Sequence, residues 1–330
     1  VEDLMKISEY IREKNMMAGE YSMSATEILT AFLVRISCSS TDPGYLTVYR
    51  KEETDIFLEV RSIDPSDRLR ELALCHHCTV LISGTLAPIE SYQRYFFGDL
   101  PVTGCSLPNM FPKKNRMVLC AGDITTAFSM RENRENSARI AEYIRHFARL
   151  KGNVAVYFPS YQILDTYARM LSTTLASRNL IIEPKDARDA GEALTTFLSL
   201  PSRGKSGILF AVAGGKWSEG LDYRGELLSG AMVIGLPLAP YNQVRKMTID
   251  YFRHKFGPDG EFISYTLPAL NRAEQAIGRV LRTPEDRGIL VLGEKRFLEP
   301  RVKAGLPGWI REEMVECTAE SFGEAMKRWR

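Results

Sequence analysis

The sequence predicts an α/β fold: a mainly parallel sheet with helices on both faces, plus an N-terminal helical and strand appendage. Three features carry that expectation. From residue 79 onward, short apolar runs alternate with amphipathic helical stretches, and strand–helix alternation of this kind builds a parallel sheet covered on both sides. Residues 1–38 repeat apolar side chains at helical spacing instead. Between these regions, residues 45–49 and 55–63 alternate in the way neighbouring antiparallel strands do.

In chain order, Leu4, Ile7, Tyr10 and Ile11 mark a first helix, and Ser24-Ala25-Thr26-Glu27 opens a second as a capping box. Thr41-Asp42-Pro43-Gly44 is a turn signal before the two alternating runs. Expected sheet strands are residues 79–82, 116–120, 154–158, 180–183, 207–212, 231–236 and 288–292. A helix over residues 136–151 places Ile140, Ile144 and Phe147 on one face. Another over 161–175 does the same with Leu164, Tyr167, Ala168 and Leu171. There is no internal repeat and no low-complexity linker.

Composition excludes more than it selects. With 330 residues, 45% hydrophobic and 25% charged, the chain reads as a soluble globular protein. No stretch approaches the roughly eighteen apolar residues of a membrane span, and Val1-Glu2-Asp3 does not open a signal peptide, so a cytoplasmic location is expected, or a nuclear one in a eukaryote. A net charge of +2 confines any nucleic-acid path to a local groove. Four of the six cysteines sit in or beside apolar runs and read as buried thiols. Cys75-His76-His77-Cys78 has no second pair at metal-site spacing, so a helix end running into a core strand is the better reading and no metal site is expected.

Ligands on parallel sheets bind beyond the carboxyl ends of the strands, so the chemistry is sought there. Asn271 and Glu274 resemble a capping pair, so a helix should open at Gln275. On that helix Gln275, Arg279 and Arg282 would fall within roughly 60° of arc. Two guanidiniums aimed one way suit the spread charge of a phosphoryl-transfer transition state, although a solvated basic face looks the same in sequence. After the 207–212 run, Gly214-Gly215-Lys216-Trp217-Ser218-Glu219-Gly220-Leu221-Asp222 offers glycines for close backbone approach, donors in Lys216 and Ser218, and acceptors in Glu219 and Asp222. It is not a Walker A loop, because Trp217 follows the lysine where Ser or Thr is required; a Gly-rich turn with a packed Trp is the plain alternative. Phe158-Pro159-Ser160-Tyr161 places Ser160 to cap a helix at a strand's carboxyl end, a ready phosphate site, with Tyr161 able to stack on a base or to pack. Ser83-Gly84-Thr85-Leu86 closes the 79–82 run.

Taken together and in order, these segments resemble the C-terminal motifs of superfamily-two helicases, specifically the XPD branch. Ser83 to Leu86 is similar to motif III and Phe158 to Tyr161 to motif IV. Gly215 to Asp222 is similar to motif V, and Gln275 to Arg282 to motif VI. Gly293-Glu294-Lys295-Arg296-Phe297 and Leu306-Pro307-Gly308-Trp309-Ile310 resemble the XPD tail, which favours that branch over its bacterial DinG relatives. The resemblance covers roughly residues 55–315.

It implies a RecA-like second motor domain over 41–330 and a helical appendage, the end of an arch-like insertion, over 1–40. It also implies that Arg279 and Arg282, positioned by Gln275, reach the γ-phosphate of ATP, and that Gly220, Asp222 and Glu219 meet the nucleotide. Ser160, Tyr161, Lys216, Trp217 and Ser218 would lie near single-stranded DNA, and Ser83, Gly84 and Thr85 would couple nucleotide state to movement. The motor would step 5′ to 3′, in DNA repair.

The sequence departs from the family by lacking a Gly-x-x-x-x-Gly-Lys-[Ser/Thr] loop, an Asp-Glu-Ala-His box and the four cluster cysteines. ATP and Mg2+ are therefore expected mainly on a first motor domain of the same protein, as is an iron–sulfur cluster, and the chain alone is expected not to turn over ATP. The abrupt start within a helical pattern suggests a fragment. A rival reading is a scaffold that docks repair-complex proteins through Trp309, Ile310, Met314, Phe322 and Trp329, side chains that could equally be core. A NAD or flavin enzyme is excluded, since no G-x-G-x-x-G follows the first strand of a βαβ unit.

Overall fold

The computed structural model describes residues 1–185, 190–217 and 228–329. The chain opens with α1 (Glu2–Met17) and α2 (Ala25–Ser39), then β1 (Tyr45–Glu52), β2 (Asp55–Ser62), α3 (Ser66–Leu74) and α4 (Ile89–Phe97). Strands and helices alternate from there: β3 (Arg116–Ala121), α5 (Arg134–Phe147), β4 (Val154–Phe158), α6 (Tyr161–Leu175), β5 (Leu180–Ile182), α7 (Ala190–Ser199), β6 (Ile208–Val212) and β7 (Gly230–Ile234). The last elements are α8 (Gln243–Phe256), α9 (Leu267–Ile277), β8 (Gly288–Gly293), α10 (Pro300–Ala304), α11 (Gly308–Glu313), β9 (Val315–Cys317) and α12 (Ala319–Arg328).

Two compact units emerge. The first gathers residues 1–81, 93–102 and 240–264, so no single cut in the sequence separates it from the second. Its second helix starts as the sequence predicts, with Ser24 Oγ accepting from Glu27 N at 3.2 Å and Glu27 Oε2 accepting from Ser24 N at 2.7 Å. The β1–β2 pair is antiparallel with Tyr45 opposite Ser62. Buried Asp64 fastens this unit, accepting from Tyr251 Oη at 2.7 Å and from the Lys255 ammonium.

The second unit holds a seven-stranded sheet in the order β5-β6-β4-β7-β8-β3-β9, every pairing being parallel. The strands β4, β6, β7 and β8 are buried along their whole length, as helices on both faces require. On one face, Ile140, Ile144 and Phe147 of α5, Leu164 and Leu171 of α6 and Phe322 of α12 pack on Val156, Phe210, Met232 and Val291. α9 lies against β7 and β8.

Several expectations are corrected. Residues 79–82 form no strand, and Val80, Leu81 and Ile82 are 70%, 42% and 90% exposed. An apolar run becomes a strand only where a sheet edge offers hydrogen-bond partners, and none of the described strands pairs with this one. Cys75 and Cys78 therefore follow a helix end but precede no core strand. Together with Cys38 and Cys105 they are exposed, leaving only Cys120 and Cys317 buried. The helix expected over 136–151 runs from Arg134 to Phe147, because Asn133 Oδ1 caps it by accepting from Asn136 N at 2.9 Å. No helix among the described residues is long and apolar enough to cross a membrane.

Candidate functional site

The carboxyl ends of β4 and β6 are neighbours, joined where Ala213 N donates to Phe158 O at 2.8 Å. At this rim Glu183, which follows β5, is buried to 2% exposure and ties three segments together. Its Oε2 accepts from Val212 N at 2.7 Å, and its Oε1 accepts from Tyr161 Oη at 3.2 Å and Trp217 N at 3.4 Å. Burial first, and then the adjacent Glu183 charge and hydrogen bond, push the Tyr161 phenol up to about 12. Ser160 caps α6, accepting from Ile163 N at 3.4 Å, and so sits at the positive end of a fifteen-residue helix. Lys216 is exposed and its Nζ donates to Lys185 O at 3.0 Å. Ser160, Tyr161 and Lys216 are thus brought to one rim.

Trp217 departs from expectation. Its side chain is 2% exposed, so the indole packs and presents no face for a base. Two of the glycines also have an internal explanation. Gly214 takes φ +79°, and a Cβ there would stand 3.0 Å from the Arg272 side chain. At Gly215 a Cβ would meet Glu183 Oε1 at 2.9 Å. Close approach at these two positions is to the protein's own side chains. Ser218, Glu219, Gly220 and Asp222 lie outside the described residues.

The segment from Gln275 to Arg282 ends a helix and does not open one. α9 begins at Leu267 with Pro268 in its first turn, a position that suits proline, so Asn271 and Glu274 are interior residues. The helix tightens into a 3-10 turn at Gly278–Val280, and Leu281 is extended. Arg279 and Arg282 therefore do not share a helical face: Gln275 and Arg282 are exposed, and Arg279 is 7% exposed. Asp286 sets the turn, its Oδ2 accepting from Arg282 N and Thr283 N, each at 2.7 Å. Glu274 is buried with neither carboxylate oxygen hydrogen-bonded, and burial holds its pKa well above the ordinary glutamate value.

Ser83, Gly84 and Thr85 form a largely exposed turn in which Ser83 Oγ accepts from Thr85 N at 3.2 Å. Seven residues beyond Thr85, Tyr92 is hydrogen-bonded by Asn271 of α9. That bond ties the segment after the turn to the arginine-bearing helix. The C-terminal aromatic residues are largely spent on packing. Phe322 and Ile310 are buried, the Arg116 guanidinium lies 4.8 Å from the Trp309 ring centroid, and that of Arg287 lies 5.3 Å from Trp329.

Glu183 and Asp286 escaped the sequence reading, and Glu294 entered it only as part of the tail-like segment. Each is a buried carboxylate in a turn next to a strand, past the end of β5 and β8 for Glu183 and Glu294 and before the start of β8 for Asp286, where it receives backbone N–H groups. For Glu183 and Glu294 the available signal was an acidic residue just past an apolar run; Asp286, in the polar turn before β8, offered none.

Among the described residues, no group of three or more His, Cys, Asp or Glu side chains is arranged to hold a metal ion. The family model described as the helicase C-terminal domain matches residues 143–313, from the last third of α5 to the end of α11. This chain belongs to that family. It is 24% identical to the ATP-dependent DNA helicase CHL1 of Meyerozyma guilliermondii, over 98% of this chain and 42% of that protein. It is 29% identical to the general transcription and DNA repair factor IIH helicase subunit XPD/RAD3 of Saccharomyces cerevisiae, over 84% of this chain and 38% of that protein. The chain thus spans less than half the length of these curated relatives. A solved XPD helicase superposes with a TM-score of 0.62 at 22% identity, covering 96% of this chain and 55% of that one, which establishes the RecA-like fold. The Xpd4 structure from S. tokodaii gives a TM-score of 0.53 over 80% of this chain and 49% of that one.

Proposed function

We propose that this helicase C-terminal domain is the second motor half of an ATP-driven DNA helicase of the XPD type and carries part of a single-stranded DNA track. The observation that carries the reading is the Glu183 knot. It holds the capped N-terminus of α6, Tyr161 and the Lys216 loop on one rim at the carboxyl ends of β4 and β6, where parallel sheets bind ligands. A helix N-terminus and an exposed lysine suit phosphate oxygens. Lys216 and Ser160 would meet the DNA backbone, and Ser218 belongs to the same proposal by sequence position. Trp217 would hold the loop by packing.

Gln275, Arg279 and Arg282 would act on ATP held, with Mg2+, mainly by a first motor domain. Gly220, Asp222 and Glu219 would assist at the nucleotide. Spread guanidinium charge is what a phosphoryl-transfer transition state takes up, and Arg282, on an exposed turn braced by Asp286, is the better placed of the two arginines. Ser83, Gly84 and Thr85 would pass nucleotide state on through Tyr92 and Asn271. The 5′-to-3′ direction, a role in repair, repair-complex partners and an iron–sulfur cluster on the first domain rest on the XPD resemblance. Docking through the C-terminal aromatics is disfavoured by their packing.

The test is fluorescence anisotropy of labelled single- and double-stranded DNA across a salt series. The single strand should bind more tightly and weaken with salt, and Lys216→Ala should lower the log–log salt slope by about 0.7 if it removes one phosphate contact. Unchanged affinity and slope in that variant would refute its DNA role. With a separately prepared first domain added, Arg282→Ala should cut ATP turnover by about a thousandfold. Turnover by the pure chain alone, lost in Arg279→Ala, would overturn the division of labour.

A further inference from the structure

At the carboxyl end of β3 the chain makes a 3-10 turn, Phe128–Met130, that leaves Phe128 84% exposed. A single exposed ring is ordinary on a protein surface. What sets this one apart is its mounting. Just before the ring, Thr126 N donates to Glu294 Oε2 at 2.7 Å, and Ala127 N donates to Thr125 Oγ1 at 3.1 Å. Thr125 is clamped from α5 by Asn136, whose Oδ1 accepts from Thr125 N at 3.0 Å while its Nδ2 donates to Thr125 O at 2.8 Å. Glu294 is fully buried and is met by Arg296 Nη2 at 2.9 Å. Beneath the turn Gly235, at φ +81°, lets Thr126 approach so closely that a Cβ would collide with its Oγ1. Such a network rigidifies the backbone that carries the ring.

The ring is also paired with a cation. The Arg131 guanidinium carbon stands 5.2 Å from its centroid, and Lys295, exposed on the neighbouring strand end, is joined to the loop by its N–H on Ile124 O at 2.9 Å. The turn shares the carboxyl rim with Ser160 and Lys216. In the order β4-β7-β8-β3 it lies three strand steps from β4, about 14 Å at the usual strand spacing.

We infer that Phe128 and Arg131 form a preorganised stacking platform for a nucleobase, the ring taking the base and the guanidinium the attached phosphate. A rigidly held aromatic beside a cation is how proteins grip bases without reading their sequence. The base has two possible sources, a single strand lying along the rim or a free nucleotide. The first rests on the DNA-track reading above.

The experiment uses the 330-residue chain with Phe128→Trp as a fluorescent reporter, read against the three native tryptophans of the unsubstituted chain. Oligothymidine should quench the new signal, an abasic oligonucleotide of equal length should not, and Phe128→Ala should weaken oligothymidine binding about tenfold. Quenching by ATP with none by oligothymidine would assign the platform to a free nucleotide and so also support it. Equal quenching by abasic and thymidine strands, or none by either oligothymidine or ATP, would overturn it. Should the chain still bind oligothymidine in a Lys216-dependent way while the introduced indole stays silent to both ligands, the track survives and the platform falls. Loss of all single-strand binding with ATP quenching retained refutes the track alone.

Discussion

Replacing Glu183 with alanine tests the construction of the rim most directly. The carboxylate is 2% exposed and receives two backbone N–H groups, Val212 at 2.7 Å and Trp217 at 3.4 Å, as well as the Tyr161 hydroxyl at 3.2 Å. Alanine removes the carboxylate that accepts from both backbone donors beside buried side chains. A buried donor that loses its acceptor costs about 1–3 kcal/mol, so the pair costs roughly 2–6 kcal/mol. Removing a buried charge returns part of its desolvation penalty, which places the expected loss at about 2–4 kcal/mol. Glutamine keeps one acceptor oxygen and should lose only about 1 kcal/mol.

Urea unfolding gives the totals, and amide hydrogen exchange gives the location. In Glu183→Ala the Val212 and Trp217 amides should lose protection by about tenfold or more, while the amides of β8 keep theirs relative to global unfolding. Single-strand affinity should fall with them, although Glu183 touches no DNA in the proposed track. If the variant stays within about 0.5 kcal/mol of the parent and both amides remain protected, Glu183 does not organise the rim.

Buried groups supply three more tests, and an exposed run supplies a fourth. Glu274 holds its proton in the fold and releases it on unfolding, so its contribution falls as pH rises above the ordinary glutamate value of 4.5. Glu274→Leu should therefore gain on the parent by up to about 1.4 kcal/mol per pH unit above that point, and parallel stability–pH curves would count against a buried neutral carboxyl. Glu294 has the opposite sign. Burial alone would raise its pKa, but Arg296 and the hydrogen bonds from residues 125 and 126 hold it below the ordinary range. Its contribution is present above that range and lost as pH falls through the depressed value, so the advantage of the parent over Glu294→Gln should shrink on acidification in urea titrations. Glu313→Ala removes two 2.6 Å contacts and the only acidic partner within 4 Å among the described residues from the almost fully buried Arg116 guanidinium, leaving it the Asn109 and Phe111 oxygens, and should cost about 3 kcal/mol in the same assay. Finally, Val80→Ser and Ile82→Ser should change stability by no more than about 0.5 kcal/mol, because neither side chain is buried. A loss of the size a core strand gives would restore residues 79–82 to a sheet.

The sequence by itself determined the parts whose physics is local. Apolar periodicity located α1, α2, the β1–β2 pair, α6 and the strands from β3 to β8 to within a few residues, because each pattern reports which face of an element is buried. The Ser24 and Ser160 caps were legible for the same reason, since donor and acceptor lie three residues apart. The order of the motif-like segments placed the chain among helicase C-terminal domains.

Tertiary structure decided whatever depends on partners distant in sequence. Residues 79–82 carry strand residues but meet no sheet edge. Asn271 and Glu274 resemble a cap, yet apolar side chains of α9 are buried from Leu267 onward and draw them into the helix interior, which moves Arg279 and Arg282 to its unwinding end. Trp217 could have faced a ligand or the core, and the core took it. Glu183 lies 22 residues from Tyr161 and 29 from Val212, and only the parallel pairing of β5 with β6 and of β6 with β4 brings the three together. Burial and long-range hydrogen bonding are properties of the packed sheet, and a single side chain acquires them only when the strands on either side are in place.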